Sequence, residues 1–235
     1  MAKPCFFHAE LTEQTQQNEV IELSVSESAH ALQSRRLIVG TDIHLINGCG
    51  VLAGAHIDEV KKRQVFVRID AVKAPEIPRL ELNMAVAMPK GDKQKQLVDM
   101  LTQIGATSLI PMVTEFAVSV PKSSQLDKLR RVTIEACKQS HNPWALNIVA
   151  PTEFKQLVGR NMTMFYADQH GLPLEKAREI TSDCNNAMVF IGPEGGFSEK
   201  EKQALNESGA QSLALGQHIL RTETAAIAAA AMFKC

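Results

Sequence analysis

The chain has 235 residues, 45% of them hydrophobic, which is enough to bury a sizeable core in one large domain or two modest ones and excludes a disordered chain. Its formal net charge is −1 at pH 7, so global charge gives no argument for a nucleic-acid partner. Charge is unevenly spread, however, with 10 basic and 7 acidic side chains in residues 73–150 and an excess of acids on either side.

From Val20 to Val72 the chain reads as short alternating stretches, IELSV, DIHLI, VLAGAHI and QVFVRI, each with the period of two that a half-buried strand requires. Asn47-Gly48 is a hairpin signal, because both residues tolerate the positive φ of a tight turn. SESAHALQSRRL, Ser26 to Leu37, reads as a helix among these strands. Residues 1–72 are therefore expected to form a small β-barrel or sandwich. KAPEIPRL follows, and Pro75 and Pro78 make residues 73–79 a stiff linker.

Beyond the linker, from residue 80 to 235, apolar strands alternate with amphipathic helices, which predicts an α/β domain with a mainly parallel sheet. Strands are expected at 82–88, 109–113, 146–150, 162–167, 187–191 and 212–215. Leu97, Met100, Leu101 and Ile104 mark the apolar face of a helix that stops at Gly105. Leu126, Leu129, Val132 and Ala136 mark another, with Lys128, Arg130 and Arg131 off that face.

Several chemistries have no support in the residue pattern. The five cysteines contain no C-x-x-C pair, against both a disulfide framework and a structural zinc site, and suit a reduced, cytoplasmic chain. The seven histidines include no H-E-x-x-H, so no metal is expected. No segment approaches the ~18 apolar residues that span a bilayer, and MAKPCFFHAE has no apolar core of a leader peptide.

Two loops remain. FIGPEGGFSEKE runs from an apolar strand through Gly192 to Gly196 into Ser198-x-x-Glu201, a capping box that starts a helix. Its glycines let backbone groups approach a ligand closely, although a tight turn with a helix cap explains them equally well. The spacing is neither that of a phosphate-cradling loop nor that of a dinucleotide fingerprint. LALGQHILRTETAAIAAAAMF gives a strand, Gly216, the apolar pair Ile219 and Leu220, and then Arg221 and Glu223 at the mouth of an alanine-rich helix. Buried charges there need a task or a partner. They either pair with one another or serve a pocket that both loops build beyond the strand ends.

IGPEGGFSEKE followed by LALGQHILRTETAAIAA closely resembles the C-terminal signature of the bacterial 16S ribosomal RNA uridine-N(3) methyltransferases, members of the SPOUT class. His30, Arg36 and Gly40 are similar to that family's N-terminal pattern, and MPKGDK, Met88 to Lys93, to the start of its catalytic domain. The resemblance implies a PUA-like β-barrel RNA-binding domain over 1–72 and a SPOUT domain over 80–235 with a C-terminal trefoil knot. It implies a homodimer that takes S-adenosylmethionine as cofactor and 16S rRNA, in the 30S subunit, as substrate. Cofactor contacts would come from Ala167, Ile191, Gly192, Glu194, Gly196, Leu215, Gly216, Gln217, Ile219, Leu220, Thr224 and Ala225. Arg221 would stabilise charge on the uracil, and Glu223 would orient Arg221 or help remove the N(3) proton. Arg35, Arg36, Lys90, Lys93, Arg130, Arg131 and Lys138 would contact RNA phosphates, as would Lys128. The chain departs from the family at Asn142, where an arginine is usual, and at Met100 and Gln103, where lysine and glutamate are usual. These departures keep open a methyltransferase acting on another RNA such as tRNA, an inactive RNA-binding relative, and a regulatory binder of an adenosine ligand.

Overall fold

The computed structural model describes residues 3–73, 77–181 and 184–234. The centre of the expected linker, residues 74–76 with Pro75, and Cys235 lie outside the described residues. The chain divides into two compact units, Met1–Ile77 with Ile134–Ala145, and Pro78–Thr133 with Leu146–Cys235.

The first unit contains β1 (Cys5–Phe7), β2 (Val20–Glu22), α1 (Val25–Ala29), β3 (Asp42–Ile46), β4 (Leu52–Lys61) and β5 (Gln64–Lys73). They form one sheet in the order β1-β3-β4-β5-β2, parallel between β1 and β3 and antiparallel elsewhere. Alternate residues of β4 and β5, including Ala53, Ala55, Ile57, Val65, Val67 and Ile69, face a core shared with Phe6, Leu11 and Leu23. The sheet is mixed, and among the described residues it does not close into a barrel. Its edge strands β1 and β2 are only 3 residues long and pair with β3 and β5 rather than with each other.

Two local expectations are corrected here. The helix expected at Ser26 to Leu37 is α1 followed by a π-helical turn, His30–Ser34, after which Arg36 turns the chain with φ 52°. The Asn47-Gly48 turn is longer than a two-residue hairpin. The Asn47 side chain holds it by accepting from the N–H groups of Cys49 at 2.7 Å and Val51 at 3.0 Å.

Ile134–Ala145 belongs to this unit, and the surroundings of Lys138 follow from that. Lys138 is 8% exposed, and its ammonium donates to Glu27 Oε1 at 2.7 Å and to Glu135 Oε1 at 2.9 Å. Burial disfavours its charge, but hydrogen bonds and attraction from the two carboxylates outweigh burial and raise its pKa. Lys138 is therefore removed from the expected phosphate contacts, because its charge is already paired and out of reach of solvent.

The second unit contains β6 (Glu81–Val86), α2 (Lys93–Ile104), β7 (Ser108–Val113), α3 (Ser123–Ser140, whose last turns lie in the first unit), β8 (Asn147–Ile148), β9 (Thr152–Glu153), α4 (Phe154–Leu157), β10 (Thr163–Leu172), α5 (Leu174–Thr181), β11 (Asn186–Ile191), α6 (Glu199–Glu207), β12 (Gln211–Leu213) and α7 (Thr222–Lys234). Its sheet has the order β12-β10-β11-β6-β7-β8, with β9 beside β7, and every pairing is parallel.

Both faces of this sheet are covered, so its central strands are apolar throughout rather than alternating. From β11, Ala187, Val189 and Ile191 enter one core and Met188 and Phe190 the other. α2 presents Leu97, Val98 and Leu101 to the first core and ends at Gly105, whose φ of 88° is the left-handed stop expected there. α7 buries Ala225, Ala226, Ala229 and Ala230 in the same core, packed on α2, β6 and β11. Its alanines permit that close approach. β10 pairs with β12 at Ala167 and again at Leu172, both opposite Leu213, so residues 168–170 arch out of the ladder while Gly171 rests against the Leu213 backbone, where a β-carbon would clash with Leu213 N. This arch, the turn after β11 and the segment after β12 lie at the carboxyl ends of neighbouring strands.

The buried ion pair gives a stability prediction. Lys138→Met leaves the buried Glu27 carboxylate without its cation and is expected to cost about 3–5 kcal/mol, whereas adding Glu27→Leu recovers most of that loss. Urea denaturation of the full-length variants measures both; a double variant as unstable as the single one contradicts the pairing.

Candidate functional site

A cleft of about 380 Å³ opens at those strand ends and is lined from β10, the turn after β11, the segment after β12 and the first turns of α7. Its size lies within the ~300–1,000 Å³ range of small-molecule sites. The glycine turn is rigidly founded. Ser198 caps α6 by accepting from Glu201 N–H, and Glu201 Oε2 accepts from Ser198 N–H at 2.9 Å, which completes the expected capping box. Glu201 is buried, and its other oxygen accepts from Glu115 N–H at 2.9 Å. A β-carbon on Gly192 would lie 3.2 Å from the Phe197 ring, so a side chain there crowds the ring that supports the cleft. Gly196 holds φ 73°, the left-handed conformation that favours glycine.

The two loops are tied together. Buried Thr222, the first residue of α7, donates its hydroxyl to Gly192 O at 3.2 Å. That bond sets the start of α7 against the turn after β11, and the cleft lies between the segments that lead into them.

Charges at the start of α7 are arranged differently from the sequence expectation. Glu223 is buried, and its carboxylate pairs with Lys93, at the start of α2, at 3.1 Å. Arg221 is exposed and, among the described residues, forms no ion pair. Burial pushes the Glu223 carboxyl up, but its own backbone N–H, Lys93 and the Arg221 charge outweigh burial and hold it below the usual range. A carboxylate so stabilised is a weak base. Its Oε2 has no protein donor. In the cleft itself, Asp168 faces Lys202 across 3.6 Å.

Of the residues assigned to a cofactor from the sequence, Ala167, Ile191, Gly192, Glu194, Gly196, Leu215, Gly216, Ile219, Leu220 and Ala225 line the cleft, while Gln217 and Thr224 are exposed outside the lining. Ile219 is 83% exposed at the rim. Asp168, Gln169, Phe197, Lys202 and His218 also line the cleft and were missed. Asp168 and Gln169 directly follow Ala167, but the arch that turns them inward depends on β12, more than forty residues away. Of the RNA set, Lys90 and Lys93 sit at the approach to α2, Arg131 is exposed on α3, and Arg130 bonds Asp127 at 2.9 Å and Ile148 O at 3.3 Å. Arg35 and Arg36 are exposed in the first unit. Among the described residues no cluster of three or more metal-binding side chains occurs, and no helix is long and apolar enough to cross a membrane.

The RNA methyltransferase domain family matches residues 75–234. Ribosomal RNA small subunit methyltransferase E of Rickettsia conorii is 30% identical over 223 residues, covering 93% of this chain and 91% of the relative. The Bacillus subtilis protein of the same name is 25% identical with the same coverage. A Legionella pneumophila chain described as a methyltransferase, solved in complex with the bound cofactor SAM, superposes with a TM-score of 0.85 over 99% of this chain and 97% of that one, at 25% identity. The Neisseria gonorrhoeae small subunit methyltransferase E, bound to S-adenosyl methionine, has the same fold with a TM-score of 0.86, 98% and 96% coverage and 22% identity.

The link between the loops can be tested directly. Thr222→Val keeps the shape of the side chain but strips the half-buried Gly192 carbonyl of its donor, with an expected cost of about 0.5–1.5 kcal/mol. Thr222→Ser should restore most of it. Equal stability of the valine and serine variants in chemical denaturation contradicts a structural role for this hydroxyl.

Proposed function

The chain belongs to the RNA methyltransferase family represented by ribosomal RNA small subunit methyltransferase E, and from that premise we propose that it methylates N(3) of a uridine in 16S rRNA with S-adenosylmethionine as methyl donor. The observation that carries this reading is the strand-end cleft between two linked loops, in the fold shared with a relative solved with that cofactor.

The residues present fit the cofactor. Gly192 leaves a cradle that a β-carbon would crowd, Leu215, Ile219 and Leu220 offer apolar walls, and Glu194 brings negative charge suited to a sulfonium cation, while Asp168 is paired with Lys202. When bound, S-adenosylmethionine supplies an electrophilic methyl group. The chain contributes positioning and charge. A uridine N(3) lies on the base-pairing edge, so the base must be unpaired before it can be reached. Arg221, exposed between two residues of the cleft wall, stabilises negative charge on the uracil carbonyls as the N(3) proton leaves to solvent. Glu223 serves as a holder of Lys93 rather than as the base, given its depressed pKa and ion pair. Lys90, Lys93 and Arg131 contact phosphates, with Lys128 and Arg130 beside them.

The finer architecture follows the same reading. The second unit is a SPOUT domain with a C-terminal trefoil knot, a reading supported by the path of the chain from β11 to the edge strand β12 beyond β10 and back to the sheet centre as α7. The first unit is a PUA-like RNA-binding domain, with residues 73–79 as its linker. A homodimer is supported by Phe116, Val118 and Val120, exposed by 47%, 47% and 49%, with Phe116 beside the glycine turn. The enzyme works in the cytoplasm on small ribosomal subunits.

Transfer of labelled methyl from S-adenosylmethionine to unmethylated 30S subunits, followed by nucleoside analysis, should yield 3-methyluridine; a different methylated nucleoside overturns the N(3) assignment, and label only on tRNA overturns the substrate. Arg221→Ala should lower kcat about 100- to 1,000-fold, as loss of one oxyanion donor does, while cofactor affinity stays near wild type. A variant that loses cofactor binding but turns over normally at excess cofactor would return Arg221 to a structural role.

A further inference from the structure

We propose that the end of the N-terminal sheet bearing Arg35, Arg36, Lys62 and Arg63 is a docking surface for the phosphate backbone of the RNA substrate, which rests on the RNA methyltransferase reading above. β4 and β5 are joined by the two-residue turn Lys62-Arg63, since Lys61 pairs with Gln64. Both turn residues have positive φ, 48° and 70°. Hairpins of this kind are ordinarily turned by Asn-Gly or a similar pair, because a β-carbon in the left-handed region costs about 1–2 kcal/mol per residue. Arg36, at φ 52°, repeats the choice in the neighbouring turn. Three basic side chains thus occupy positions where local stability favours glycine or asparagine, and such backbone outliers point toward function.

The two turns share one platform. Gly40 N–H donates to Ile57 O at 2.8 Å and Ile57 N–H to Thr41 O at 3.0 Å, so the segment after Arg36 joins β4 at Ile57 and continues into β3, which leaves Arg36 on the side of this junction from which the chain arrives. Ser28, one residue before the end of α1, accepts at its hydroxyl from Val65 N–H at 3.1 Å and from the Gln64 amide at 3.0 Å, which fixes the helix leading to Arg35 onto the base of the hairpin. From Ile57 to Lys62 is about 17 Å of strand at ~3.3 Å per residue. That length spans several phosphates of an RNA strand.

The charge at this end is in positive excess, with Glu22 of β2, opposite Phe66, as a nearby exposed acid that forms no ion pair among the described residues. The two acids of β4 near the tip are already engaged, Asp58 by Arg68 at 2.8 Å and Glu59 by Lys61 at 2.6 Å. Arg35, Arg36, Lys62 and Arg63 are exposed and, among the described residues, have no ion-pair partner. Four unpaired cations on a rigid platform, in a chain of net charge −1, match a polyanion. Between the turns, Ile38 and Val39 are 72% and 58% exposed, and Thr41 pins them by donating its hydroxyl to Ile38 O at 2.7 Å. They offer an apolar contact for an unstacked base beside the cations.

The test replaces Lys62 and Arg63 with the pair that suits the turn. Lys62→Asn/Arg63→Gly in the full-length protein should leave the urea midpoint unchanged or raise it, and leave S-adenosylhomocysteine binding by calorimetry unchanged. Binding to unmethylated 30S subunits should weaken, and the slope of log K against log salt should fall by about 1.4–1.8, which is ~0.7–0.9 for each lost phosphate contact. Arg36→Gly, tested alone, should follow the same pattern with about half the change in slope. Unaltered affinity and slope in the double variant overturn the surface while leaving the methyltransferase reading intact. A wild-type protein that does not bind 30S subunits or their RNA overturns both.

Discussion

The second unit depends on how closely α7 approaches the sheet. Four buried alanines bring its backbone against α2, β6 and β11, and its first hydroxyl, from Thr222, reaches the carbonyl of Gly192 at 3.2 Å. A larger side chain anywhere along that stripe would lift the helix, and interiors packed near crystalline density respond by moving rather than absorbing the volume. The cleft exists because this contact holds the turn after β11 next to the segment after β12. Its walls are therefore largely preformed backbone, and they cost little reorganisation when a ligand enters.

The same contact decides where charge can sit. Glu223 lies in the first turn of α7, where unpaired N–H groups favour an anion, and Lys93 at the start of α2 meets it. The pair is half immersed, with Glu223 buried and Lys93 partly open, so it orders two helix starts at once. Arg221, one residue before α7 begins, escapes that pairing and remains available to an incoming anion. Separation of the two roles, one charge consumed in architecture and one left free, is what makes a cationic mouth compatible with a stable helix terminus.

Local features were readable from the chain. The capping box at Ser198, the stop at Gly105 and the glycine turn each lie within a few residues of their cause, and each stands where the residues place it. Most of the cleft wall was readable for the same reason. Features that depend on distant partners were not. Lys138 looked like a surface cation because Glu27, 111 residues away, is invisible to periodicity. The partner of Glu223 is invisible for the same cause, since Lys93 lies on another helix, 130 residues earlier in the chain. Asp168 and Gln169 entered the cleft through an arch imposed by pairing with Leu213. The Lys62-Arg63 hairpin carries no turn signature, since its residues are ones that turn statistics disfavour. The open sheet of the first unit followed from strand lengths that alternation alone did not set.

The central claim is that the cofactor is seated by residues 192–196 and 215–222 of the second unit. Hydrogen–deuterium exchange of the full-length protein, with and without saturating S-adenosylmethionine, tests it most directly. Backbone amides of those two segments should exchange more slowly in the presence of the cofactor, while strands β3 to β5 of the first unit stay unchanged. Protection confined to other segments, or none at saturating cofactor, would contradict it.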